Sequence, residues 1–199
     1  DPAARDRFLG IMEQEAGRMT RLVDELMTLS RLEENERRRP TDQVALSDVL
    51  RVVSQALLPI AQAADVDLTI DVPDLPVTVF GDAAQLQQVF TNLIENAIKY
   101  GAQGNKVVVT VAPHRLIKRL RAQGTTIMVQ DFGDGIASHH ITRLTERFYR
   151  VDSHRSRQVG GTGLGLAIVK HIVNRHRGRL AVTSELGAGT IVTVTLPKG

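Results

Sequence analysis

Apolar residues at the start of the chain recur with helical spacing. Phe8, Met12, Met19, Leu22, Leu26 and Leu29 follow at alternating three- and four-residue steps, with Glu15 in the one skipped position and Leu9, Ala16 and Val23 widening the stripe. Asp1-Pro2 reads as an N-cap followed by proline at the first helical position, where its missing N–H does no harm. From Glu33 to Pro40 charges and a proline replace the stripe, which predicts a helix end and a linker whose arginines form a solvated hinge. An isolated amphipathic helix gains little, so the stripe must be covered by the following domain or by another chain, and a second copy of this chain is expected.

Further on the period shortens and lengthens in turn. Val44 to Leu46 reads as a short strand, and Ser47 is expected to cap an apolar helix through about Ala64, kinked or broken at Pro59 by the loss of an internal hydrogen bond. Leu68 to Val72 and Val77 to Phe80 alternate as strands, punctuated by Pro73 and Pro76. Asp82 and Gln85 resemble a capping box before a helix whose apolar face is Leu86, Val89, Phe90, Leu93 and Ala97. Lys106 to Val111, Thr125 to Gln130, Arg179 to Ser184 and a last segment ending at Leu196 read as strands, while His114 to Arg121 fits either a strand extension or a helical turn.

Composition narrows the classes. The chain has 199 residues, 42% hydrophobic and 24% charged, enough for one core plus an appendage. A net charge of +3 with two Tyr, five Phe and no Trp offers little for base stacking, so no nucleic acid is expected as a partner. With no cysteine there are no disulfides, thiolate nucleophiles or Cys-ligated zinc. No apolar run is long enough to span a membrane and no signal-peptide pattern is present, although a larger parent could carry both.

Three stretches carry candidate chemistry. Gly160 to Lys170 sets Gly161, Gly163 and Gly165 before an apolar helical run, where backbone amides and the helix dipole favour an anion such as phosphate; a packing turn is the plain alternative. Asn92, Asn96 and Lys99 share one helical stripe with Glu95 beside them and Tyr100 at its end. Amide oxygens suit Mg²⁺ and Lys99 offers a point charge to phosphate, while a solvated face with a Glu95–Lys99 pair is the competing explanation. Asp131, at a strand end before Gly133 and Gly135, can accept a hydrogen bond from an exocyclic amine such as adenine's, or simply make an Asp-Gly turn.

Taken together, Asn92-x-x-x-Asn96-x-x-Lys99-Tyr100, Asp131-x-Gly133-x-Gly135, Phe148-Tyr149-Arg150, Gly161-x-Gly163-x-Gly165 and Gly187-x-Gly189-Thr190 resemble, in order and spacing, the conserved boxes of sensor histidine kinases. Val44 to Pro197 resembles their catalytic and ATP-binding domain, within the gyrase, Hsp90, histidine kinase and MutL superfamily. The first helix, down to Leu29-Ser30-Arg31-Leu32-Glu33, resembles the second helix of the dimerisation and phosphotransfer domain, nearest in its wording to phosphate-regulon sensors. The resemblance divides the chain into residues 1–40, part of that dimerisation domain with its linker, and 41–199, the catalytic domain.

The resemblance implies an α/β fold: a two-layer α/β sandwich of the Bergerat type, with a mixed sheet and helices on one face, preceded by one long amphipathic helix. Asn92 and Asn96 would hold Mg²⁺, Lys99 and Arg150 would meet phosphate oxygens, and Tyr100 would lie near the nucleotide. Asp131 would take the adenine amine and Gly133 and Gly135 would make room for the base. Residues 142–161 would form a lid that closes as Gly161, Thr162, Gly163, Leu164 and Gly165 present amides to the phosphates. The implied reaction is γ-phosphoryl transfer from ATP to a histidine, then relay to the aspartate of a response-regulator receiver domain, within a homodimer joined through residues 1–36. The location would be the cytoplasmic portion of an inner-membrane sensor. Two positions depart from the pattern: Thr145 stands where an earlier phenylalanine is usual, and Phe132 where a small polar residue is common. His114, His139, His140, His154, His171 and His176 read as lid, core-edge or surface groups without the context of a phosphoacceptor, so this chain is expected to bind Mg-ATP without autophosphorylating. Alanine at both Gly163 and Gly165 is expected to weaken ATP binding with the fold intact. A gyrase- or Hsp90-like ATPase would need a glutamate in place of Asn92 to activate water. A non-catalytic ATP-binding or scaffold module would be distinguished by nucleotide titration, and a serine kinase of the anti-sigma class fits poorly with the long first helix.

Overall fold

The computed structural model describes residues 2–34, 39–73, 77–117, 122–151 and 161–198. The expected cap at Asp1, linker residues 35–38, the turn at Pro76, the end of the basic stretch at 118–121, and His154 with lid residues 152–160 lie outside them. In chain order come α1 (Pro2–Glu34), β1 (Gln43–Ala45), α2 (Leu46–Ala63), β2 (Asp67–Asp71), β3 (Thr78–Phe80), α3 (Ala83–Gly101), β4 (Lys106–Ile117), β5 (Ala122–Asp131), a short α4 (Ser138–Ile141), α5 (Gly165–Arg175), β6 (Arg179–Glu185) and β7 (Gly189–Pro197). His114 to Ile117 thus extends a strand.

The main sheet runs β2-β4-β5-β7-β6, with β2 and β4 parallel and the other neighbours antiparallel. β1 and β3 form a separate antiparallel pair. Val107, Val109 and Val111 of β4 and Ile127 and Val129 of β5 are buried in one core with α2, α3 and α5, while the alternate residues Val108, Thr110, Thr126 and Met128 are only half-buried. Period two therefore directs one face of the sheet under the helices. The result is the two-layer α/β sandwich expected from the resemblance.

Tertiary partners override two local expectations. α2 begins one residue before Ser47, with Ala45 as N-cap and no side-chain cap; the Leu46 N–H donates instead to the Val77 carbonyl at 2.9 Å. Pro59 does not break α2, which continues to Ala63. The proline lies on the exposed face, where water can reach the carbonyl it orphans, while Val53, Leu57 and Ala61 keep the buried face intact.

The capping box at α3 forms by half. The Asp82 carboxylate accepts from the Gln85 N–H at 3.1 Å, but the Asp82 N–H donates to His176 Nε2 at 3.0 Å rather than to Gln85, whose Oε1 is buried without a partner among the described residues. His176 Nδ1–H donates to the Ile172 carbonyl at 2.8 Å, so this fully buried histidine bolts the end of α5 to the start of α3. It is a core residue rather than the core-edge or surface group expected. Burial holds its pKa below the ordinary 6.5. The unfolded chain therefore takes up the proton first, and this contribution to stability, complete above pH about 6.5, is lost as pH falls toward the lowered folded value. Unfolding midpoints at pH 8 and pH 5.5 are expected to differ less for His176→Gln than for the wild type; an equal difference would detach His176 from the effect.

Among the described residues, only the C-terminal part of α1 is covered. Leu29 and Leu32 are buried and Leu22 is partly buried, joining the core beside α5. Phe8, Leu9, Met12 and Met19 are 54 to 66% exposed. At roughly 1.5–3 kcal/mol per fully buried leucine, before the cost of ordering, the docking of α1 is a modest attachment.

Candidate functional site

A cavity of about 330 Å³ lies on the helix-bearing face of the sheet where β5 ends and β7 begins. Its floor is Val129 and Asp131 of β5 beside Val192 and Thr190 of β7, paired across the ladder in that order. α3 contributes Asn92, Asn96, Lys99 and Tyr100; the segment after α4 contributes Tyr149 and Arg150; and Gly161, Thr162 and Gly163 lead into α5 at Gly165. A helical repeat of 3.6 residues is what places the first set on one wall.

Asp131 is set by two backbone donors. The Gly133 N–H, at 3.0 Å, and the Thr190 N–H, at 3.2 Å, both donate to its Oδ1, leaving Oδ2 without a partner among the described residues. Burial raises its pKa, and the two amides oppose that rise. A nearly buried carboxylate with one oxygen in reserve suits an exocyclic amine. Arg150 also lines the cavity, and its guanidinium has Nε and Nη2 buried with no partner among the described residues, a cationic group left uncompensated beside the cavity. The Asn92 amide Nδ2 donates to the Gly165 carbonyl at 3.4 Å, which ties α3 to the start of α5 and leaves the Asn92 oxygen for a ligand. Lys99 is paired with Glu95 at 2.8 Å, the competing arrangement foreseen for this stripe. The Thr162 hydroxyl accepts from the Leu164 N–H at 3.3 Å and donates to the Glu25 carboxylate of α1.

Of the residues given a site role from the sequence, Asn92, Asn96, Lys99, Tyr100, Asp131, Gly135, Arg150, Gly161, Thr162, Gly163 and Gly165 line this one cavity. Two do not. Leu164 is fully buried as the N-cap residue of α5. A Cβ at Gly133 would meet the Gly101 Cα at 2.7 Å and the Tyr100 carbonyl at 2.9 Å, so this glycine lets the turn approach the end of α3 rather than clearing space for a base. Sequence reasoning assigned no site role to Thr190, although its motif was in view, and it missed Arg21 and Glu25, whose place in the wall depends on α1 folding back across the chain.

Residues 81–199 match the family described as histidine kinase-, DNA gyrase B-, and HSP90-like ATPase. The chain belongs to this family, and its ATPase-type domain is homologous to the catalytic domains of sensor histidine kinases. It is 39% identical over 190 residues to the sensor histidine kinase RppB of Synechocystis, which aligns with 96% of this chain and 40% of RppB. The phosphate regulon sensor protein PhoR of Pseudomonas aeruginosa is 37% identical over 187 residues, 94% of this chain and 40% of that protein. Among solved structures, full-length ShkA in complex with AMPPNP superposes with a TM-score of 0.76 at 27% identity, covering 93% of this chain and 37% of ShkA. The chain thus spans about 40% of the length of the curated relatives it matches.

Proposed function

We propose that the cavity binds Mg-ATP and that the chain is the nucleotide-binding, catalytic part of a sensor histidine kinase. The observation that carries this reading is a single cavity lined by Asp131, whose Oδ2 has no partner among the described residues, by Arg150, two of whose nitrogens have none among them either, and by the glycine loop before α5. Adenine amine at Asp131 places the phosphates toward Arg150, Lys99 and the amides that open α5. Asn92 and Asn96, one turn apart, fit Mg²⁺, which takes oxygen ligands and leans on substrate phosphates; when bound it would neutralise phosphate charge. In this reading the two amides and the phosphates would supply its oxygen ligands.

Phosphoryl transfer breaks the bond from the γ-phosphorus to the ADP oxygen and forms one to an imidazole nitrogen, a reaction governed by positioning and charge stabilisation. Arg150 and Lys99 hold the phosphoryl oxygens, and Lys99 exchanges Glu95 for phosphate. Asn92 cannot serve as a general base toward water, which favours transfer over hydrolysis. Further partners in this reading are the receiver domain of a response regulator and a second copy of the chain, joined through residues 1–36. The placement that goes with it is the cytoplasmic side of an inner-membrane sensor; among the described residues no helix is long and apolar enough to cross a membrane.

Calorimetric titration of the chain is expected to give saturable Mg-ATP binding. Adding γ-labelled ATP together with a phosphotransfer domain bearing the acceptor histidine should yield acid-labile phosphohistidine on that domain, and little label on this chain alone. Binding without transfer would favour a regulatory ATP-binding module.

A further inference from the structure

One face of α1 lies along the loop and helix that flank the cavity. Glu25 accepts a hydrogen bond from the Thr162 hydroxyl, Leu29 and Leu32 are buried beside α5, and Glu33 forms an ion pair with Arg147. These residues recur at helical spacing, so they are a single docking face. Arg21 and Glu25 bring that face into the cavity wall, where Glu25 meets Thr162 of the glycine loop assigned above to phosphate.

We propose that docked α1 is a latch displaced by nucleotide, with the Glu25 carboxylate occupying the phosphate end of the cavity and holding Thr162. The inference rests on the ATP reading of the site.

A carboxylate and a triphosphate repel at close quarters, and more strongly where water is excluded. Glu25 is half-buried, and burial raises its pKa above the ordinary 4.5, so its charged form gains when released to water. Of the cations at the site, Lys99 is paired with Glu95 and, with Arg21, offsets part of the charge of docked Glu25, whereas two nitrogens of Arg150 have no partner among the described residues. A triphosphate brings Arg150 an anionic charge that the docked helix does not. The second tether, Glu33 with Arg147, is 40 and 47% exposed, so it is weak and easily broken. Nucleotide entry therefore expels Glu25, frees Thr162 for the phosphates and loosens α1, the element that carries the exposed apolar stripe.

Glu25→Gln keeps the length and helix propensity of the side chain and can still accept from Thr162, but removes the charge. In titrations of the whole chain it is expected to tighten ATP binding about three- to tenfold, the scale of one partly screened charge contact, to tighten ADP binding less, and to leave adenosine unchanged. Glu33→Gln, remote from the cavity, is expected to tighten ATP binding too. Thermal melts establish that both variants fold. Unchanged or weaker ATP binding by Glu25→Gln, with normal binding by the wild type, overturns the latch alone. Failure of the wild type to bind ATP overturns the site reading beneath it.

Discussion

Asp131→Asn is expected to lower ATP affinity about 10- to 100-fold, the range for losing a hydrogen bond to a charged acceptor, while the fold survives. An amide oxygen can still accept from the Gly133 and Thr190 N–H groups that now converge on Oδ1. The change falls on the other atom, where an acceptor becomes an N–H donor facing the donor of adenine. Guanine carries an oxygen at the corresponding ring position, so the preference for ATP over GTP should narrow in the same variant. Competition titrations with both nucleotides read both effects. Wild-type ATP affinity in Asp131→Asn would remove Asp131 from base recognition. Because burial raises the pKa of this carboxylate, acidification should cost the acceptor, and ATP binding should weaken as pH falls toward that raised value.

Gly163→Ala is expected to weaken ATP binding by about tenfold, whereas Gly165→Ala changes it little. Gly163 has φ +81°, and a Cβ there would stand 2.9 Å from the Phe148 backbone. That backbone is where the phenylalanine motif docks on the glycine loop, through the Phe148 N–H donating to the Gly163 carbonyl at 2.9 Å. Left-handed strain of about 1–3 kcal/mol and the clash together displace the loop at the phosphate end. At Gly165 the nearest atom to an added Cβ is Asn92 Cγ at 3.8 Å, an ordinary contact, and alanine suits a helix start better than glycine. Alanine at both positions together is still expected to weaken ATP binding with the fold intact, with Gly163 carrying the loss. Titration and melts of the two single variants check this, and equal losses in both would refute it.

The sequence by itself determined the elements and most of the site's membership. Helical and strand periods depend on neighbours within a few positions, so α1, α3, α5 and the strands were legible, as was the stripe from Asn92 to Tyr100. The motif order added the sandwich. Local reading failed where a distant group took over a local task. The Val77 carbonyl replaced Ser47 at the head of α2, and His176 replaced Gln85 at the capping box, 94 positions from Asp82. The same holds for function. The two Arg150 nitrogens and the one Asp131 oxygen without a partner among the described residues, and the reach of Glu25 to Thr162, 137 positions away, arise only when separate elements close on one cavity. Local physics selects the pieces. Their packing decides which polar groups are satisfied, which remain open to a ligand, and which stand in a ligand's place.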